Sequence, residues 1–134
     1  MKEISVITAG ILADIKNALP ALLTSHGADA VEIYAVGYAT DQGKKSCGVY
    51  FSEMDESRNE TFTFGINLQL NQVTEEDSYK YLDAVNDYLR NSFSPQSYGF
   101  ADFQYKIIYW APFKNSSPEL FFDVTMSDTL EDCE

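Results

Sequence analysis

The fold is decided by residues 61–70, which read TFTFGINLQL. Large apolar side chains alternate strictly with polar or small ones along this segment. The apolar set is Phe62, Phe64, Ile66, Leu68 and Leu70. Because side chains of a β-strand point to opposite faces in turn, all five lie on one face. The segment is therefore predicted to be a strand with one buried and one wet face, as is usual in antiparallel sheets.

Two shorter strands are predicted before this segment. Residues 31–38 and 46–52 are rich in apolar residues, and the polar turn 41–45 separates them. The acidic stretch 53–60 follows and contains a single apolar residue, Met54. It is predicted to be an exposed loop or an extended hairpin tip.

Two more strands are predicted near the end of the chain. Residues 103–110 alternate over a length that can cross a whole sheet, and residues 120–126 return after a loop that contains Pro112 and Pro118. The remaining residues, 127–134, are polar and acidic and are predicted to be a frayed tail.

A helix is predicted in the first part of the chain. Its apolar residues recur at the three- and four-residue spacing of one helix face. They are Ile11, Leu12, Ile15, Leu19, Leu22 and Leu23. Pro20 lies inside this pattern, so the helix is predicted to be kinked or split there. Gly27 is predicted to cap its C-terminal end.

A second helix is predicted to begin at Thr74, whose hydroxyl suits the N-cap position. Three acids follow in the first turn, where the helix dipole favours them. The predicted buried face consists of Tyr81, Leu82, Val85, Leu89 and Phe93. Ser94 and Pro95 end the helix.

The predicted order of elements is α-β-β-β-α-β-β. This order indicates an α+β fold with a mostly antiparallel sheet of four to five strands and two helices packed on one face. The 134 residues fit a single domain over residues 1–134.

The charge of the chain limits the classes of partner. The sequence has 9 Lys and Arg against 21 Asp and Glu, for a formal net charge of −12. A field of this sign repels phosphate, so neither direct nucleic-acid binding nor binding to anionic membranes is expected. An acidic surface suits solubility, a basic partner, or a surface that must not adhere to nucleic acid.

The cysteines and the apolar stretches bear on localisation. Cys47 and Cys133 are predicted to be unpaired thiols in a reducing compartment, with one bridge between them as the alternative. The apolar stretch 4–23 is interrupted by Asp14 and Lys16, so neither a signal peptide nor a membrane-spanning helix is predicted. The expected localisation is cytoplasmic.

Catalytic and metal sites are not predicted. His26 is the single histidine, and its place beside Gly27 indicates a helix-end residue near the C-terminal dipole rather than a catalytic base. His26, Cys47 and Cys133 lie too far apart in sequence for a zinc motif. The seven glycines form no phosphate-binding motif. We therefore expect no cofactor, no metal and no enzymatic activity.

The aromatic residues near the end of the chain have two interpretations. Tyr105, Tyr109 and Trp110 are typical of an RNA stacking platform when basic residues surround them. Lys106 is the one basic neighbour. A sheet core is therefore the preferred interpretation.

Charged loops supply the candidate interface. The basic residues Lys44 and Lys45 and the acidic stretch 53–60 belong to different predicted loops. Opposite charges on separate loops allow a head-to-tail contact between identical subunits, which closes into a ring if the rotation permits. Unrelated solvated loops are the alternative. The interface candidates are Lys44, Lys45, Asp55, Glu56, Arg58 and Glu60.

The order of elements resembles one family of assembly proteins. The features that carry it are the first helix, the strand at 61–70, the acid-started helix with YLDAV at 81–85, and the final strands through KIIY at 106–109. Over about residues 10–127 the chain resembles the tail terminator (minor tail protein U-like) family of long-tailed phages.

The resemblance implies a subunit of a hexameric ring that caps the finished tail tube and presents a surface to head-completion proteins. Such a subunit is made in the host cytoplasm and then enters the virion. Its acidity would repel DNA on the exit path. The alternative is an acidic inhibitor or immunity-type protein, or a DNA mimic, that binds a basic partner such as a nuclease. A mimic needs its acids on one continuous face.

Overall fold

The computed structural model describes residues 3–35, 45–56, 60–111 and 118–128. Within these residues, two α-helices and a five-stranded sheet follow one another in the predicted order, which confirms the α+β class. The elements are α1 Ile4–Ser25, β1 Glu32–Ala35, β2 Ser46–Asp55, β3 Thr61–Gln69, α2 Glu75–Asn91, a short 3-10 helix Pro95–Tyr98, β4 Asp102–Trp110 and β5 Glu119–Ser127.

The sheet is mixed and its strand order is β1-β2-β3-β5-β4. β1 pairs parallel with β2, and the other three pairs are antiparallel. The last strand of the chain therefore inserts beside β3, and β4 lies at one edge.

A single core lies between the sheet and the helices. The four predicted core residues within β3 are at most 1% exposed and pair in register with buried residues of β5. We call the side of the sheet that bears these residues the helix face and the opposite side the outer face. The β3 pairs on the helix face are Phe62–Met126, Phe64–Val124, Ile66–Phe122 and Leu68–Leu120.

Helix α1 is continuous through Pro20, so the predicted split is wrong. Pro20 lies on the exposed side of the helix, so its missing N–H falls on the side away from the core. Beyond the helix, Gly27 adopts a left-handed φ of 77° and Ala28 N donates to Leu23 O at 2.8 Å. The predicted glycine cap is confirmed.

Helix α2 begins as predicted, because the Asp77 N–H donates to the Thr74 hydroxyl at 3.1 Å. Its buried face includes Tyr88, which the sequence pattern did not place there. The Tyr88 hydroxyl donates to the Asp14 carboxylate of α1. This bond lets a tyrosine occupy a fully buried position.

Every strand differs by at least one residue from its predicted bounds. β2 extends to Asp55, which pairs with Thr61, so residues 53–55 belong to the β2–β3 hairpin, the second of the two predicted alternatives, and not to an exposed loop. A shift in register between Phe51 and Glu53 accommodates the extra length. β1 covers residues 32–35 of the predicted 31–38. Residues 36–38 of that predicted strand, most of the turn before β2 and the tail residues 129–134 lie outside the described residues. The predicted frayed tail is wrong for Ser127, which is the last residue of β5.

Candidate protein interface

The strand β4 forms one edge of the sheet. Its nine residues pair with β5 over their whole length, and the described part of the chain places no strand on the other side. An edge strand carries backbone N–H and C=O groups with which another strand can pair. β4 is therefore a place where a second chain can extend the sheet.

The C-terminal half of β4 exposes large apolar side chains on both faces of the sheet. Ile107 and Ile108 are each 43% exposed, and Trp110 is 51% exposed. Ile107 pairs in register with Phe122, so it points to the helix face, whereas Ile108 and Trp110 point to the outer face. An apolar surface at a sheet edge is typical of a protein contact.

Helix α2 extends this apolar surface. The ring of Tyr79 is 46% exposed and its centroid lies 5.8 Å from that of Tyr109. The hydroxyls of Tyr109 and Ser78 lie 3.1 Å apart, which fixes the Tyr109 ring against the helix. We call the exposed apolar set the β4 patch. It consists of Tyr79, Ile107, Ile108 and Trp110.

The β4 strand is nearly neutral on a strongly acidic chain. Its charged residues are one acid, Asp102 at its first position, and one base, Lys106. In register it stands opposite Asp123 of β5, a pair of opposite charges. Because two chains of net charge −12 repel each other, they approach most readily through a surface without excess acid. The β4 edge is such a surface.

The structure separates the charged residues that were proposed as interface candidates. Asp55 and Glu56 lie at the end of β2, and Glu60 lies at the same end of the hairpin, just before β3. Lys45 precedes β2, about 30 Å away along the strand. Lys44 and Arg58 lie outside the described residues. The acidic candidates therefore lie together, and Lys45 lies at the opposite end of the sheet.

Lys45 already has an acidic neighbour in its own chain. Its Nζ lies 3.8 Å from Asp29 Oδ2, and its side chain is 23% exposed. The Asp29 carboxylate partly neutralises the charge of Lys45. Lys45 therefore contributes less to an intermolecular contact than its sequence context indicates. The charged head-to-tail contact stays a prediction.

The sequence interpretation missed the main feature of this surface. The pattern favours a place in the sheet core for Trp110, but it is half exposed, because it points to the outer face of an edge strand. Tyr105 and Tyr109 are half-buried against the core. The sequence feature that indicates the exposed surface is the run Ile107-Ile108, which places apolar side chains on both faces of the strand. Such a run indicates either a fully buried strand or an exposed contact surface.

The single histidine has a structural position. His26 lies at the C-terminal end of α1, as predicted, and its Nε2 lies 2.9 Å from Asp87 Oδ2 of α2. This hydrogen bond, helped by a second one from Asn91, holds the pKa of the Asp87 carboxyl below its ordinary value. The contact ties the end of α1 to α2.

A small polar hollow lies where α1 ends and α2 begins. Its charged groups face one another: Lys80 Nζ lies 3.3 Å from Asp77 Oδ1, and Lys45 lies beside Asp29. The Asp29 N–H donates to the Tyr81 hydroxyl at 3.2 Å. Across the residues that the structure describes, no group of three His, Cys, Asp or Glu side chains is placed to hold a metal ion.

Cys47 is buried on β2 with no exposed surface. Burial raises the pKa of its thiol to about 12, so the thiolate is scarce at neutral pH. Cys47 therefore acts as a small core residue. Cys133 lies outside the described residues.

Helix α1 is long and apolar enough to cross a membrane by length and composition alone. The sequence prediction that the chain has no membrane-spanning helix stays a prediction. Core helices and signal sequences pass the same test. In this fold, one stripe of α1 packs into the core: Ile7, Ile11, Ile15, Leu19 and Leu23.

No protein-family model matches this chain. A search of the curated proteins gave no match either.

Proposed function

We propose that this chain is a structural assembly protein that acts through protein–protein contact, and specifically a ring-forming tail terminator of a phage or prophage tail. In this role it caps the tail tube and joins the tube to the head. The observation that carries the proposal is the β4 patch, a neutral apolar edge on an otherwise acidic subunit.

The position of the β4 patch supports assembly rather than catalysis. A subunit that polymerises needs a surface which contacts its neighbour through apolar side chains and open backbone groups. β4 supplies both, because its edge is open within the described residues and its exposed side chains lie on both faces. The order of elements is also the one on which the family resemblance depends.

The acidity of the chain fits a ring on the path of DNA. With a net charge of −12, such a ring repels the phosphate backbone that must pass it. The proposed partners are further copies of this chain, the tail tube and the head-completion proteins. The proposed location is the host cytoplasm during synthesis and the virion after assembly.

The experiment that tests the proposal is mass measurement by light scattering over a wide range of protein concentration. We expect the mass to grow with concentration toward a closed ring, a hexamer by the family resemblance. In the variant Ile107→Lys, growth should require a protein concentration about tenfold higher or more, because an isoleucine can no longer be buried in the contact.

Val6→Lys is the matched control. Val6 is 63% exposed on α1, so this variant makes the same change of charge at an exposed apolar residue outside β4. It should assemble like the wild type. A wild-type chain that stays monomeric at every concentration would contradict the proposal, as would an equal effect of the two variants.

The net charge of −12 also favours a second candidate, an acidic inhibitor, immunity-type protein or DNA mimic. On α2, however, Lys80 lies between the exposed acids Glu76 and Asp83, and Arg90 follows them. A mimic would inhibit a basic nuclease as a monomer or dimer, and raising the salt concentration would weaken that inhibition. Inhibition that is unaffected by Ile107→Lys would favour this candidate over the ring.

A further inference from the structure

The sheet has two edges in the described residues, and they belong to β4 and β1. β1 and β2 run in the same direction. Across the rest of the sheet, β3, β5 and β4 each run opposite to the strand before them in the order β2-β3-β5-β4. β4 and β1 therefore run in opposite directions. When two copies stand side by side in the same orientation, β4 of one lies antiparallel to β1 of the next. The helix faces of both copies then lie on the same side.

We propose that β4 of one subunit pairs antiparallel with β1 of the next, so that a continuous sheet crosses each contact of the ring. This inference rests on the proposed function and names the surfaces that carry it. The occupant of the β4 edge is a second copy of this chain.

Charge complementarity selects the register. Lys106, the single cation of β4, points to the outer face, and so does Glu32 of β1. Placing Lys106 opposite Glu32 of the second copy pairs opposite charges across the contact. Glu32 is exposed, so its carboxylate is accessible to the neighbouring subunit.

The same register matches the apolar side chains. On the helix face it sets Tyr105 opposite Ile33 of the second copy, and it sets the exposed Ile107 opposite Val31. Ile33 and Val31 are half-buried and pack against the core of their own subunit. The contact therefore joins the two cores along one face of the sheet, which shields Ile107 from water.

Self-pairing of two β4 strands is less favourable. Pairing over their whole length would place Lys106 opposite Lys106 of the other copy and Asp102 opposite Trp110. Like charges directly opposite each other destabilise a sheet. A contact between two β4 strands would also close after two copies, whereas the β4–β1 contact repeats from subunit to subunit.

Disulfide trapping tests the pairing. Residues directly opposite each other on antiparallel strands lie within reach of a disulfide. The variants Glu32→Cys and Lys106→Cys are made separately on a Cys133→Ser chain, where the buried Cys47 is the one remaining thiol and is unreactive. One variant carries a size tag, so mixed dimers are distinguishable on a denaturing gel.

We expect mild oxidation to link the mixture of the two variants and to leave each variant alone unlinked. The double variant Glu32→Cys with Lys106→Cys should give a ladder that ends at the number of subunits in the ring. Val6→Cys replaces Lys106→Cys in the control mixture, which should remain unlinked.

Three results would overturn the pairing. Linking of Lys106→Cys to itself would indicate a β4–β4 contact, and equal linking in the Val6→Cys mixture would indicate random collision. An unlinked mixture, when light scattering shows that both variants form an oligomer, would move the contact elsewhere and leave the proposed function standing. If the wild type is monomeric at every concentration, the proposed function fails together with the pairing.

Discussion

A single side-chain hydroxyl, that of Tyr88, joins the two helices. The ring is fully buried, and its hydroxyl donates to the Asp14 carboxylate. Burial is the larger cause and this hydrogen bond the second of a pKa of Tyr88 that is raised above its ordinary value. The neutral phenol is therefore the form that the folded state keeps.

The variant Tyr88→Phe should lower the free energy of unfolding by about 1–2 kcal/mol, because a charged acceptor loses its donor while the ring packing is kept. Urea denaturation measures this loss. Tyr79→Phe is the matched control, since the Tyr79 hydroxyl donates to Glu75 Oε2 at 3.0 Å in an exposed position where water can replace it. The control should change stability by less than about 0.5 kcal/mol. Equal losses in both variants would contradict this account.

Gly65 is required by the ring of Tyr50 on the neighbouring strand. The two residues are opposite each other on the outer face, and a methyl group at Gly65 would overlap the Tyr50 ring. We expect Gly65→Ala to cost about 1–3 kcal/mol of unfolding free energy through overpacking. The same change in a Tyr50→Ala chain should be neutral or stabilising, because alanine restricts the unfolded backbone more than glycine. Denaturant curves of the wild type, the two single variants and the double variant give the coupling free energy between Gly65 and Tyr50. An equal cost of Gly65→Ala with and without the Tyr50 ring would rule out the overlap.

At the scale of elements, local sequence pattern predicted most of the helices and strands. The alternation in β3 and the cap at Thr74 both appear where the sequence placed them. The neighbours of each strand were not predictable in this way. Alternation reports how a strand is buried but not which strand lies beside it, so the parallel β1–β2 pair and the edge position of β4 were missed.

The interface candidates were predicted from charge, and this choice missed the apolar edge. Charged residues are easy to find in a sequence because they stand out in any loop. Ile107 and Trp110 look the same in a buried strand and in an exposed one, since exposure depends on the neighbouring strand. The structure adds this information.

The contact between α1 and α2 at His26 and Asp87 predicts a dependence of stability on pH. The pKa of Asp87 is lower in the folded chain than its ordinary value of 3.8, so its contribution is present above that value and is lost as the pH falls toward the folded pKa. Between about pH 5 and about pH 3, the wild type should lose more unfolding free energy than Asp87→Asn.

Urea midpoints at the two pH values measure this difference. Asp83→Asn, an exposed carboxylate on the same helix, is the control and should retain the wild-type pH dependence. If the two variants respond to pH alike, the His26 contact does not stabilise the ionised Asp87.

At the scale of the whole molecule, net charge opposes assembly and the neutral edge permits it. Because the chain carries −12, screening by salt should strengthen self-association through β4. We expect the concentration at half-assembly to fall as NaCl rises from about 0.05 M to about 0.3 M. Sedimentation velocity measures it. An assembly that weakens over this range would indicate a contact dominated by ion pairs, such as the charged loops.

The central claim, that the β4 edge is a protein contact, is tested most directly by the fluorescence of Trp110, the single tryptophan of the chain. It is half exposed in the isolated subunit and lies within the β4 patch. Acrylamide is a suitable quencher because it is neutral and the acidic chain does not repel it. As the protein concentration rises, we predict that quenching by acrylamide decreases in step with the growth in mass. Growth in mass with unchanged quenching of Trp110 would contradict the claim.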